Sequence, residues 1–290
     1  MTCLYPVPMS PNSDDNKKRF YKNGKKGERI FVPCRHCVNC IDNRIREWTY
    51  RLLAESKRHT KMCFITLTYD DEHLPQGSSC CADDVSKFIK RIRRYYEYHG
   101  GKKLDLVHFS ATEYGGESGR PHAHLLILGI DYNDLLPQNS KLVSHNTKNC
   151  NSPFWKNGLL NYGTDVSLSD SRMIRYVTKY VEKLDTENLY KYCRIMGIEK
   201  PSVLHSVKIG TDYLKTRSDE DGRLPKLGGI TMNLSPYYMR VMDLCSPYTL
   251  ADKERFKIER EMKRNKIMQG MENTDENYAK VIETCKRGVK

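Results

Sequence analysis

The stretch "EYGGESGRPHAHLLILG", residues 113–129, sets two histidines one residue apart in an apolar run, just past a glycine-rich turn. Leu or Val would pack better at both places. On an extended strand alternate side chains share a face, so His122 and His124 point together while Ala123, Leu125 and Ile127 point the other way. Two imidazoles so placed can share one metal ion, and nitrogen ligands suit several divalent ions, manganese and zinc among them. A neighbouring strand should supply a third ligand. With 116–119 as the loop, Gly115 pairs with Arg120, Glu113 falls opposite His122, and the small Ala111 falls opposite His124. A slip of one residue would turn the carboxylate away. Two imidazoles and one carboxylate leave positions open for water and a substrate oxygen. The competing reading is two polar residues on a solvated strand face.

A second set of reactive groups lies in "RYVTKYVEKL", residues 175–184. At about 100° per residue, with Tyr176 at zero, Tyr180 falls near 40°, Lys183 near −20° and Lys179 near −60°. Met173, Ile174, Val177, Val181 and Leu184 fall between about 60° and 160°. The tyrosines thus sit at the rim of a core stripe and share a face with two lysines. A phenol ionises near pH 10, and a nearby cation favours its phenolate. The plainer reading is a pair of amphipathic tyrosines edging the core.

A third cluster is "PCRHCVNC", with Cys34, Cys37 and Cys40 at three-residue spacing. Thiolates in C-x2-C spacing suit tetrahedral Zn2+, here as a structural ion. Three ligands are one short. Cys3 or His36 could complete the set, or the cysteines could be plain thiols on a turn.

These groups need elements to hold them. The chain has 290 residues, 38% of them hydrophobic, which suffices for a core. Its formal net charge of +13 suits a polyanionic partner, most commonly nucleic acid. The 11 cysteines are scattered and odd in number, which argues for thiols in a reducing compartment. The beginning of the chain does not read as a secretory signal, and no apolar stretch reaches membrane-spanning length, so no membrane partner is expected.

Residues 1–45 read as a basic arm with the cysteine cluster; "KKRFYKNGKKGER" carries seven basic residues against one acid. Helical spacing begins near Asp42. "MCFITLTYD" reads as a strand. "ADDVSKFIKRIRRYYEY" reads as a helix with Asp83 as its N-cap, a buried stripe of Val85, Phe88, Ile89, Ile92 and Tyr96, and a basic stripe of Lys87, Lys90, Arg91 and Arg94. "LDLVHFSATEYG" and "PHAHLLILGI" form a hairpin. Residues 131–170 look rich in loops. The main domain spans 46–245, and 246–290 is a charged helical tail. The expected fold is α+β, an antiparallel ferredoxin-like sheet with helices on one face.

Taken together, "GRPHAHLLI", "YVTKYVEK" and "FITLTYDDEHLP" resemble the motifs of the HUH endonucleases, in their two-tyrosine form. The N-terminal cysteines, the Trp-bearing helix after them and the Trp155-x-x-Gly158 pattern make residues 1–245 most similar to replication initiators of gokushovirus-type microviruses. The resemblance implies an HUH fold in which His122, His124 and Glu113 bind Mg2+ or Mn2+, with Tyr176 and Tyr180 as nucleophiles in an order left open. It implies nicking and rejoining of viral origin DNA through a 5′-phosphotyrosine, in the cytoplasm of a bacterial host, with a host DNA polymerase and helicase as partners. Lys179 or Lys183 would stabilise the phosphate. Lys87, Lys90, Arg91, Arg94 and Arg120 could hold the DNA backbone. The alternatives are a plasmid-type HUH initiator, a transposase, or a non-catalytic nucleic-acid-binding module on a ferredoxin-like sheet.

Overall fold

The computed structural model describes residues 3–5, 7–9, 30–101, 103–136, 149–162, 171–183, 187–216 and 226–230. The 17–29 basic run and the 246–290 tail lie outside them. Two short strands, β1 (Val7–Met9) and β2 (Ile30–Val32), pair antiparallel. Helix α1 (Val38–Ser56) follows. It begins four residues before the expected start at Asp42 and crosses residue 45, where the arm was expected to end.

The main sheet is built from β3 (Met62–Tyr69), β4 (Val107–Tyr114), β5 (Pro121–Leu128), β6 (Asn149–Ser152), β7 (Trp155–Tyr162) and β8 (Val203–His205). Their order is β6-β7-β3-β5-β4-β8, and every pairing is antiparallel. Four further helices are described: α2 (Ala82–Gly100), α3 (Ser171–Lys183), α4 (Glu187–Met196) and α5 (Thr211–Thr216). No helix among the described residues is long and apolar enough to cross a membrane.

The α+β class and the antiparallel sheet are as expected. The helices, however, cover both faces and not one. Ala123, Leu125 and Ile127 join Val85, Phe88, Ile89 and Ile92 of α2 in one core. The alternate residues of β5 face the other way, where rings of α1 and α3 meet the sheet: Trp48 on Phe109, Tyr176 on Phe64, Tyr180 on His124. Leu125 to Leu128 are all 0% exposed, so neither face of β5 meets water there. The apolar continuity of "HLLILG" carries this signal.

Helix α2 shows the expected stripe, with Val85, Phe88, Ile89 and Ile92 buried and Tyr96 partly so. Its N-cap is Cys81 and not Asp83; Asp83 and Asp84 occupy the first turn, where carboxylates favour the positive end of the helix. Gly101 closes it in the left-handed conformation at φ 63°.

Residues 149–162, expected in a loop-rich region, instead form the β6–β7 hairpin and extend the sheet beyond β3. Trp155 donates its indole N–H to the Thr68 carbonyl at 2.9 Å. At Gly158, φ is +150° and an added Cβ would lie 2.3 Å from the Thr68 oxygen, so β7 approaches β3 this closely only with glycine there.

Candidate metal centre

The β4–β5 hairpin has the expected register. The Gly115 N–H donates to the Arg120 carbonyl at 3.0 Å, closing the turn. Glu113 pairs with His122 and Ala111 with His124. On its other side β5 sets Thr68 opposite His122 and Thr66 opposite His124. Two rows of side chains therefore share the face beneath α3: Thr68, His122 and Glu113 in one, Thr66, His124 and Ala111 in the next.

Glu113 Oε1 lies 2.9 Å from His122 Nε2 and 3.3 Å from His124 Nε2. His122 Nδ1 lies 3.2 Å from the Arg120 carbonyl, which only accepts, so that nitrogen carries the proton. The Nε2 lone pair of His122 then faces a carboxylate oxygen, an arrangement that needs a cation between them. The spacing fits a metal ion: ligand atoms held at about 2.1 Å and mutually perpendicular lie about 3 Å apart. The three ligand atoms are all within 4.8 Å of one another. Their side chains are 18% (His122), 14% (Glu113) and 11% (His124) exposed, enough to admit a substrate and little enough to strengthen charge interactions.

One support that sequence reading missed is Thr66, whose Oγ1 lies 2.9 Å from His124 Nδ1. It holds the ring so that Nε2 faces Glu113. The signal was available: Thr66 and Thr68 alternate within "FITLT" as the only polar side chains of that strand segment.

Both tyrosines lie on the histidine side of the sheet. The Tyr180 ring stacks on His124 with centroids 4.4 Å apart. Its hydroxyl donates to the Tyr176 hydroxyl at 2.7 Å. Tyr180 is 7% exposed and Tyr176 47%, so the pair runs from the centre outward to solvent. Burial, then the hydrogen bond to Tyr176, then the charges of Tyr176 and Glu113 hold the Tyr180 phenol above its ordinary range. Ile174, Val177 and Val181 form the buried stripe, as the wheel predicts. Helix α3 is held in turn by α1, through a Thr49–Thr178 hydroxyl contact of 2.8 Å.

The expected basic residues are dispersed. Lys179 is exposed on α3, and the side chain of Lys183 lies outside the described residues. Lys87, Lys90, Arg91 and Arg94 are on α2, across the sheet from the histidines. Lys87 pairs with Asp83 at 2.8 Å, and Arg91 donates to the Phe154 carbonyl. Arg120 donates to the Tyr69 carbonyl and pairs with Asp71 at 2.6 Å, close to His122 in sequence.

A second cluster comprises Cys3, Cys34, Cys37 and Cys40, whose sulfurs all lie within 4.8 Å of one another. Cys3 completes the set, not His36. Burial works against ionisation of Cys37, but N–H groups, chiefly that of Leu4, and the neighbouring thiols lower it to about 7. Both clusters have the composition and spacing to hold a metal ion.

An antiparallel sheet carrying this carboxylate–histidine set beneath two phenols defines a candidate metal-assisted site open to a large substrate. Through residues 62–185, the chain belongs to the family of the replication-associated protein ORF2. It is homologous to phage replication proteins. It is 31% identical over 197 residues to Replication-associated protein ORF2 of Spiroplasma virus 4, covering 62% of this chain and 61% of the relative. It is 29% identical over 184 residues to Replication-associated protein VP4 of Bdellovibrio phage phiMH2K, covering 62% and 58%. Against Replication-associated protein ORF4 of Chlamydia phage 1 it is 35% identical over 99 residues, covering 34% and 24%. The chain thus spans about three-fifths or less of the length of these relatives. No solved structure matches it.

Proposed function

We propose that the protein is an HUH-type endonuclease that initiates rolling-circle replication of a phage genome by nicking and rejoining one strand at the origin. The observation that carries this reading is the convergence of His122 and His124 Nε2 on Glu113 Oε1, with Tyr180 stacked on His124 and hydrogen-bonded to Tyr176. When bound, Mg2+ or Mn2+ supplies Lewis-acid polarisation of a phosphate oxygen and offsets the Glu113 charge that opposes phenolate at Tyr180.

A phenolic oxygen of Tyr176 or Tyr180 attacks phosphorus in line. The new bond is tyrosine O–P, and the bond that breaks is P–O3′. The phenolic proton is delivered, directly or through solvent, to the departing O3′. The products are a 5′-phosphotyrosine and a free 3′-OH. The linkage retains a phosphodiester, so attack by a 3′-OH reverses it without ATP. The free 3′-OH primes a host DNA polymerase, with a host helicase opening the duplex, in the cytoplasm of a bacterial cell.

Two phenols one helical turn apart let one retain the 5′ end while the other cuts the regenerated origin. Lys179, on the same helix, and Arg120, at the start of β5, are the nearest assigned cations for the phosphate backbone. The basic residues of α2 are placed to act only on DNA that passes round to the other face, with binding that weakens steeply with salt.

The test uses single-stranded origin oligonucleotides and the full chain. Tyr176→Phe and Tyr180→Phe each retain a covalent adduct with Mn2+, and the double variant loses it by more than about 10²-fold. Adduct formation in the double variant, or undiminished cleavage by a His122→Ala, His124→Ala variant, would overturn the reading.

A further inference from the structure

The four cysteines lie apart from the proposed reaction and come from two distant places in the chain. We infer that Cys3, Cys34, Cys37 and Cys40 bind one Zn2+ as four thiolates, and that this ion anchors the N-terminal segment to the start of α1.

Geometry argues first. A tetrahedral zinc with Zn–S near 2.3 Å places its sulfurs about 3.8 Å apart. Cys37 and Cys3 Sγ are 3.9 Å apart, and all four sulfurs lie within 4.8 Å. The backbone around them is arranged for negative charge. The N–H groups of Cys34, Cys37 and Leu4 point at the sulfurs of Cys3, Cys34 and Cys37, at 3.2, 3.3 and 3.4 Å. A neutral thiol is a weak acceptor, whereas a metal-bound thiolate gains from each such donor. Arg35, between Cys34 and Cys37, holds φ at +70°, a left-handed conformation that a non-glycine residue adopts only when its surroundings enforce it. That turn is what brings the Cys37 N–H onto Cys34 Sγ.

The ligand set also defines the role. Four sulfurs fill a tetrahedron and leave no position for water or substrate, so this ion is structural. Cys37 caps α1 and Cys40 lies in its first turn; the Arg44 guanidinium donates to the Arg35 carbonyl at 3.1 Å, tying the helix to the turn. Cys3 reaches the cluster from 31 residues before Cys34. The ion therefore closes the intervening chain into a loop at whose base β1 and β2 pair. That loop includes the 17–29 run with its seven basic residues.

The experiment uses the full chain purified under reducing conditions. Elemental analysis should find one zinc per chain, released by a mercurial thiol reagent. A Co2+-exchanged sample should show intense sulfur-to-cobalt charge-transfer absorption. Both signals should persist in the Glu113→Ala, His122→Ala, His124→Ala variant. Cys3→Ser should raise the zinc dissociation constant at least about 10²-fold. Zinc removal should speed proteolytic cleavage within residues 1–33 at least about tenfold. The inference is overturned by reduced protein that holds no zinc and takes up no Co2+ with a thiolate spectrum. Metal lost from the histidine variant but kept by Cys3→Ser would also overturn it. An unchanged proteolysis rate on zinc removal would overturn the anchoring role.

Discussion

The Tyr180 ring lies flat against the His124 ring, with centroids 4.4 Å apart and planes 19° apart. This contact joins a helix to the centre of the sheet, and it separates two duties of one side chain. The ring covers the imidazole, and the hydroxyl reaches on to Tyr176.

Those duties come apart by substitution. Tyr180→Phe keeps the stack and loses the donor to Tyr176, so its melting temperature should stay within a few degrees of the parent and Mn2+ binding should persist. Tyr180→Ala opens a cavity over His124 and should cost about 3 kcal/mol. Chemical denaturation and Mn2+ titration calorimetry on both variants check this; equal stability of the two would show that the ring is not a packing element.

Thr66→Val preserves shape and removes the hydroxyl beside His124 Nδ1. The ring then loses the partner that sets its rotation. Mn2+ affinity should fall roughly 10- to 100-fold, the usual cost of losing a partner behind a metal-binding histidine. Fold stability should change far less. Thr66→Ser, which keeps the hydroxyl, should restore binding.

His108 gives a pH dependence whose sign can be derived. Burial first, then the charges of Arg93 and His205, lower its pKa to about 4 in the fold. In the unfolded chain it titrates near 6.5. Between those values the unfolded state holds the extra proton, so this contribution to stability is complete above pH about 6.5 and declines as the pH falls towards 4. Denaturant midpoints measured across that range should drop more steeply for the parent than for His108→Gln.

Gly158→Ala should be among the most damaging single-methyl additions. The new carbon would press on the Thr68 carbonyl, at a φ of +150° that alanine resists. A loss on the order of 2–4 kcal/mol is expected, with poorer registry of the Thr68–His122–Glu113 row. Little change in melting temperature would mean that β7 can shift away from β3 without loss.

The hairpin is legible in the sequence because a short turn and the alternation of faces leave only one register that puts Glu113 beside His122. The cysteine spacing is legible for a similar reason, since its ligands are local. What escapes is non-local. Thr66 meets His124 across 58 residues of sequence, and nothing near "FITLT" names its partner. Strand β7 hides behind Asn157, Gly158 and Asn161, poor strand formers that a close approach to β3 and pairing across the sheet make acceptable. Burial of both faces of β5 is readable in its unbroken apolar run, yet the histidines draw attention to one face only. The N-cap of α2 is misplaced in a sequence reading because two aspartates in a first turn look like a cap, while the chain direction at Cys81 decides it.

Glu113, His122 and His124 are gathered by a single turn within twelve residues, whereas α3 is docked through Thr178 against Thr49, 129 residues earlier. Local closure is fast, and long-range docking waits for the intervening chain. A growing polypeptide therefore assembles its cation-binding side before its nucleophiles can arrive, and the emerging chain cannot sever a strand until synthesis has passed the second tyrosine.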